Sequence, residues 1–241
     1  MAKTEQVPPD IIEFLMHTDT CTVSNAIETL NVRMRNEGYV QGGSRCMFPE
    51  LPPIAGYAVT GSIRASAPPI SGLCYYHRMD WWQHCAGVPG PKIIVIEDLD
   101  RIPGIGALCG EIHAQIGRAL GCVGYLTNGT IRDVGAIQAL GFQCFAHGAS
   151  VSHSYAHIVE FGGPVHINGL KISTGDLLHG DRNGIHSIPA AVTGRLPGIV
   201  EMIKAHEAEL IGICQDRDFS IEKLREALRD SSKWNPQPSV R

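Results

Sequence analysis

GEIHAQIGRALGCVGYLTNGTIRDVGAIQALGFQCFA, residues 110–146, is the stretch on which the fold turns. Gly110 to Leu120 carries apolar side chains at helical spacing, and Cys122 to Thr127 is an apolar run of strand length. Asn128-Gly129 is a turn dipeptide, Asp133 to Leu140 returns to helical spacing, and Phe142 to Ala146 closes the unit as a strand. Strand, helix and strand at this interval predict an α/β layer whose loops gather at one edge of the sheet.

Working outward toward the N-terminus, Lys92-Ile93-Ile94-Val95-Ile96-Glu97 is a short run suited to a buried strand, and Gly56 to Ser66 alternates as a strand. Trp81-Trp82 between them predicts a packed helix. Residues 31–54 lack periodicity, and Gly42-Gly43, Pro49, Pro52 and Pro53 predict a long irregular excursion. Before it, Ile11, Phe14 and Leu15, then Val23, Ala26, Ile27 and Leu30, predict two short helices, with Thr20 or Thr22 to cap the second. Past Val151, the segments 164–167, 169–172 and 184–188 are separated by Gly, Asp and Asn turns and predict a second, antiparallel sheet. Pro197 opens a helix burying Ile199, Val200, Ile203, Leu210 and Ile211, and Ser220 caps a last helix; Trp234 to Arg241 reads as a loose end. The whole fits a single domain over 1–241, with its core at about 20–192 and a helical extension at 196–230.

Composition removes several function classes. Hydrophobic residues make up 44% and charged residues 18% of the chain, which is enough apolar surface for a packed core. A formal charge of −4, with no basic run interleaved with aromatics, gives no surface for a phosphate backbone. The eight cysteines form neither CxxC pairs nor a dense framework and read as reduced thiols. With no signal-like start and no bilayer-length apolar run, the expected setting is the cytoplasm, with neither nucleic acid nor membrane as a partner.

The chemistry concentrates at Gly129-Thr130-Ile131-Arg132-Asp133, where a turn leaves a strand and delivers a cation and a carboxylate to a helix start. An aspartate there is most often a cap for free amides, and an arginine most often a surface cation. The glycines Gly104, Gly106 and Gly110, ahead of Glu111, argue for more, because they let backbone amides approach a ligand and a helix start binds carboxylates. His113 faces that loop, or else fills an amphipathic helix position. His147, His153 and His157 lack metal-ligand spacing and read as structural or surface residues. No serine sits in a GxSxG elbow, and no glycine loop with a spaced acid is present to hold a methyl donor.

Gly110-Glu111 opening a helix, then 124–133, Phe142-Gln143-Cys144-Phe145-Ala146, 175–185 ending at Pro189, and Thr22-Val23-Ser24-Asn25-Ala26 together resemble the RraA-like superfamily over most of residues 20–192. That superfamily includes 4-hydroxy-4-methyl-2-oxoglutarate aldolases and the regulator of ribonuclease E activity A. The resemblance implies a β/β/α sandwich of the swivelling, phosphohistidine-domain-like type with peripheral N- and C-terminal helices. It also implies a homotrimer or homohexamer with sites at subunit boundaries. By the same resemblance, Asp133 would bind a divalent cation, magnesium or manganese, and Arg132 would contact a small oxo-acid substrate. Gly110, Glu111, Ile112 and His113 would form the loop receiving the substrate carboxylate, with Glu111 also holding a water of the cation's shell. The ribonuclease regulator lacks the aspartate after the arginine, whereas this chain has Asp133, which points to a class II aldolase with oxaloacetate decarboxylase side activity. Asn25 and Asn128 depart from the aspartates common in the family. A further acid from a neighbouring subunit would be Glu201 or Glu207.

Overall fold

A computed structural model describes residues 6–70 and 78–229. The readings for Cys74 and for residues 234–241 lie outside the described residues. Helices α1 (Pro9–Met16) and α2 (Thr20–Thr29) precede the short strand β1 (Arg45–Cys46) and the long β2 (Ile54–Arg64). Then come α3 (Met79–Gly87), β3 (Lys92–Asp98), α4 (Glu111–Ala119), β4 (Cys122–Thr127), β5 (Thr130–Ile131), α5 (Val134–Ala139) and β6 (Gln143–Ala146). The β-rich part holds β7 (Gly148–Ala149), β8 (His157–Phe161), β9 (Val165–Ile167), β10 (Leu170–Ile172), β11 (Leu177–Asp181) and β12 (Gly184–Ile188). A 3-10 helix at Ala190–Arg195 leads to α6 (Leu196–Gln215) and α7 (Ile221–Arg229).

Two compact units are distinguished: residues up to 20 together with 38–190, and residues 21–37 together with those from 191 onward. The first is built on an eight-stranded sheet ordered β1-β6-β4-β3-β2-β11-β12, with β8 also paired to β2. Strands β2, β3, β4 and β6 run parallel, and β1, β8 and β11 join antiparallel. β2 is buried along its whole length except at Arg64, as a central strand covered on both faces must be.

The α/β class expected from the sequence holds, and the layers follow from alternation along the strands. Ile54, Ala58, Ile93, Val95, Leu126 and Phe145 share a core with Val165, Ile167, Leu170 and Ile172, so the β9–β10 hairpin covers that face. The opposite face takes helices. At Gly117 of α4 a Cβ would stand 3.1 Å from Ile94 Cδ1, so the helix lies close on the sheet because that residue has no side chain. The separate antiparallel sheet expected past Val151 is present only as β9–β10. Strands β8, β11 and β12 extend the main sheet instead, because β2 is long enough to pair β11 at its start (Tyr57 with Leu177) and β8 at its end (Arg64 with His157).

Thr20 opens α2, and its cap comes from far along the chain. The buried Asp181 carboxylate accepts from Thr20 N at 2.8 Å and from Thr20 Oγ1 at 2.7 Å, and also from Asn183 N at 2.8 Å. The sequence offers Gly180-Asp181 as a hairpin turn, but both residues belong to β11 and the turn falls at Arg182-Asn183. In the second unit Val23, Ala26 and Ile27 of α2 and Leu196, Val200 and Ile203 of α6 are buried. Lys223 N donates to Ser220 Oγ at 3.2 Å, giving α7 the cap expected of it. Among the described residues no helix is long and apolar enough to cross a membrane.

Candidate functional site

β4 ends at Thr127, the chain turns at Asn128-Gly129, and β5 delivers Arg132 and Asp133 to the start of α5. Asp133 sits in the left-handed region at φ 53°, which non-glycine residues adopt rarely and mostly at constrained positions. That conformation aims its carboxylate away from its own helix. Oδ2 accepts from the backbone N–H of Glu111 at 3.1 Å, so Asp133 caps α4 rather than α5. Arg132 Nε donates to Oδ1 at 3.3 Å, and the two side chains are 29% and 37% exposed, open to solvent on one side.

The approach of α4 to this pair depends on Gly110, its N-cap, which has no capping side chain of its own. A Cβ at Gly110 would stand 2.6 Å from Asp133 Oδ2 and 2.9 Å from Arg132 Cγ. Arg132 N donates to Cys109 O at 2.9 Å, fixing the strand just before that glycine. The result is a cation, a carboxylate and the start of a helix gathered on one corner, with Asp133 already accepting from the first of that helix's amides.

The structure therefore brings Gly110, Glu111, Arg132 and Asp133 together. Glu111 is exposed and Ile112 is 48% exposed at the first turn of α4. Of the two readings of His113, the structure takes the amphipathic helix position: its ring is buried against Trp82, with centroids 4.9 Å apart. Burial pulls its pKa down to about 3, so the ring is neutral at neutral pH. His147 lies between β6 and β7, His153 in the loop after β7 and His157 at the start of β8, and Glu201 and Glu207 lie on α6 in the second unit.

Behind the corner stands a residue that sequence reasoning passed over. Asp98, buried at the end of β3, accepts from Gly104 N at 2.7 Å and from Asp100 N at 3.0 Å. Asn128 embraces its main chain, accepting from Asp98 N at 2.7 Å and donating to Asp98 O at 3.1 Å. Burial pushes the Asp98 carboxyl up from the usual range, and the two N–H donors oppose that shift. The only signal in the sequence was an Asp-Leu-Asp run closing a buried strand before a glycine-rich loop.

A sequence model of the family described as RraA-like, Aldolase/RraA, matches residues 20–186, more than half of the chain. The chain belongs to the RraA-like family. A relative in Halalkalibacterium halodurans, named "Putative 4-hydroxy-4-methyl-2-oxoglutarate aldolase", is 30% identical over 104 residues, 43% of this chain and 48% of that one. The match thus spans about half the length of that relative. Among solved structures, an uncharacterized protein from Pseudomonas syringae superposes with a TM-score of 0.73 at 18% identity, covering 93% of this chain and 96% of the other. RraAS2 from Streptomyces coelicolor, described as an unusual member of the RNase ES inhibitor RraA protein family, gives 0.65 at 17% identity, covering 88% and 99%. At these identities the two structures speak for the fold alone.

The divalent cation implied by the RraA-like resemblance can be tested against the donor set. Among the described residues no three His, Cys, Asp or Glu side chains gather as a metal-binding group. Zinc, which is held by several nitrogen or sulfur ligands, does not suit such a corner. Magnesium or manganese does, because these hard ions keep several waters and are held by one or two carboxylates plus substrate oxygens. Asp133, partly exposed and pressed against a glycine that leaves its carboxylate room, fits that kind of site.

Proposed function

We propose that this chain is a divalent-metal-dependent carbon–carbon lyase, a class II aldolase that cleaves a 4-hydroxy-2-oxo acid, such as a diacid, to pyruvate and a second oxo compound. The observation that carries the reading is the pairing of Arg132 and Asp133 over Gly110 at the amide-bearing end of α4. The family match and the aldolase name of the curated relative support it.

In such a reaction the C4 hydroxyl loses its proton, C4–O becomes a carbonyl, and the C3–C4 bonding pair moves onto the 2-oxo group as an enolate. Protonation at C3 then gives pyruvate. Magnesium or manganese, held by Asp133, supplies Lewis-acid stabilisation of that charge when bound. Arg132 places a guanidinium where the enolate oxygen develops, and the first-turn amides of α4 receive the substrate carboxylate. Glu111, exposed beside them, orders the solvent that takes the hydroxyl proton. The same enolate arises when oxaloacetate loses carbon dioxide, so decarboxylation is a side activity of this reading. The chain acts in the cytoplasm as a homotrimer or homohexamer, a state that light scattering on the purified protein reads directly.

The test is pyruvate release from a panel of 4-hydroxy-2-oxo acids and oxaloacetate, coupled to lactate dehydrogenase, with and without chelator. Turnover that stops with chelator and with Asp133→Ala is expected. Metal-dependent turnover that survives Asp133→Ala removes the assignment of that residue. No turnover of any oxo acid, together with capture of a ribonuclease or helicase unaffected by Arg132→Ala, would leave a non-catalytic regulator in its place.

A further inference from the structure

The proposed chemistry needs two pieces of chain to keep a fixed relation: the loop 99–110, which ends in the α4 amides, and the corner 128–133, which carries Arg132 and Asp133. Direct contacts between them at the site itself are few, chiefly the Glu111 amide on Asp133 and Arg132 N on Cys109 O. The loop is fastened at its start by Asp100, whose carboxylate accepts from Ala65 N, Ser66 N and Ser66 Oγ. Midway it is fastened by Asp98 through Gly104 N. On the other side, Asn128 grips the Asp98 main chain in both directions, and Gly129 passes so close that a Cβ there would stand 3.1 Å from Asp98 Oδ2. Thr130 completes the ring by donating from Oγ1 to Gly104 O at 3.2 Å.

We propose that Asp98 is a positioning residue: its buried carboxylate and main chain lock the glycine loop to the Arg132–Asp133 corner, so that the α4 amides and the charged pair act on one substrate. The inference rests on the aldolase reading for its catalytic consequence. Its structural half stands on these hydrogen bonds alone.

The physical argument is one of valence. A carboxylate has acceptors for both Gly104 N and Asp100 N, whereas the amide of an asparagine at the same place accepts through one oxygen and turns an N–H₂ toward the other donor. Asp98→Asn keeps size and shape while setting two donors face to face inside the protein. Such a conflict is relieved by releasing the loop at Gly104 or Asp100, and the loop then slackens toward Gly110.

The experiment measures amide hydrogen exchange by NMR on the full chain, wild type against Asp98→Asn, together with steady-state kinetics. Protection at Gly104 and at Glu111 is expected to fall together, by about tenfold or more, while Val95 and Leu126 at the centre of the sheet stay as protected as before. In the kinetics kcat should fall by roughly 10- to 100-fold with KM changed by less than about threefold, the signature of lost placement rather than lost binding. If Gly104 loosens and Glu111 does not, or if neither loosens, the proposal is overturned whatever the activity. If both loosen and wild-type protein turns over no oxo acid, the positioning role is supported and the aldolase reading is what fails. Thr130→Val removes only the hydroxyl that holds Gly104 O. Should Asp98→Asn not fold, coupled loosening of Gly104 and Glu111 in that second variant supports the proposal, and loosening confined to Gly104 overturns it.

Discussion

Replacing Gly110 by alanine separates the geometry of the corner from its chemistry. The backbone there, at φ −129° and ψ −167°, is extended and open to any residue, so the substitution brings no conformational strain. It brings one methyl group, whose carbon would lie 2.6 Å from Asp133 Oδ2 and 2.9 Å from Arg132 Cγ. An unstrained contact is longer than the first by about 0.8 Å, so the carboxylate, the guanidinium stem or the end of α4 has to retreat by roughly that much. Displacement on this scale at a reacting centre costs about 100-fold in rate, or about 2.7 kcal/mol of transition-state stabilisation. The cost to the fold is smaller, about 1 kcal/mol for a poorer helix cap. The expected result is a variant that melts cooperatively within several degrees of wild type yet releases pyruvate about 100-fold more slowly. A Gly110→Ala protein with wild-type kcat would refute the claim that the carboxylate works where the structure places it.

Arg132→Lys keeps the charge but not the planar fork, and kcat should fall by about 10-fold or more while the melting temperature hardly moves; coupled kinetics and thermal melts on one preparation check both. Acid should weaken the fold through two buried histidines. The His179 ring lies 3.0 Å from Thr18 O through Nε2 and 3.0 Å from His186 Nε2 through Nδ1, so Nε2 carries the proton and Nδ1 accepts. Burial lowers the pKa of His179 to about 4 and that of His113 to about 3, both from 6.5. Between those values and 6.5 the unfolded chain binds more protons, so stability is full above about pH 6.5 and declines as pH falls, each ring costing on the order of 3–5 kcal/mol by the bottom of its window. Urea unfolding at pH 7.5, 6 and 5 measures this, and an unfolding free energy flat across that range would contradict it. Asp181→Ala strips four donors of their buried acceptor and should cost about 3 kcal/mol, read as a lower urea midpoint.

The α/β unit at 110–146 was legible because each of its elements announces itself locally. Cys122 to Thr127 is the strand expected, and the two helices differ from expectation by a residue at each end. Pairing partners were not legible in the same way. The sequence offers a strand at 184–188 but none at 177–181, whose five residues are all buried without alternation, and nothing in it places Leu177 beside Tyr57, because a strand pattern carries no address. The site divides along the same line. Arg132 and Asp133 could be singled out from their place after a turn, and burial of His113 was one of the two readings its helix position allowed. Asp98 could not be found, since its partners stand six residues on, at Gly104, and thirty residues on, at Asn128. Asp181 looked like a turn residue for the same reason, its partner Thr20 being 161 residues away.

That last separation bears on how the protein is made. β2 receives its β11 neighbour only after roughly 120 further residues have been synthesised, and Thr20 waits longer still for Asp181. At ordinary ribosome speeds of about 5–20 residues per second, one flank of the central strand stays open on the nascent chain for on the order of ten seconds. During that interval an apolar strand is exposed to chaperones and to other chains alike. A transcript cut short before codon 177 would therefore yield an aggregation-prone polypeptide and not a smaller working version of the same protein.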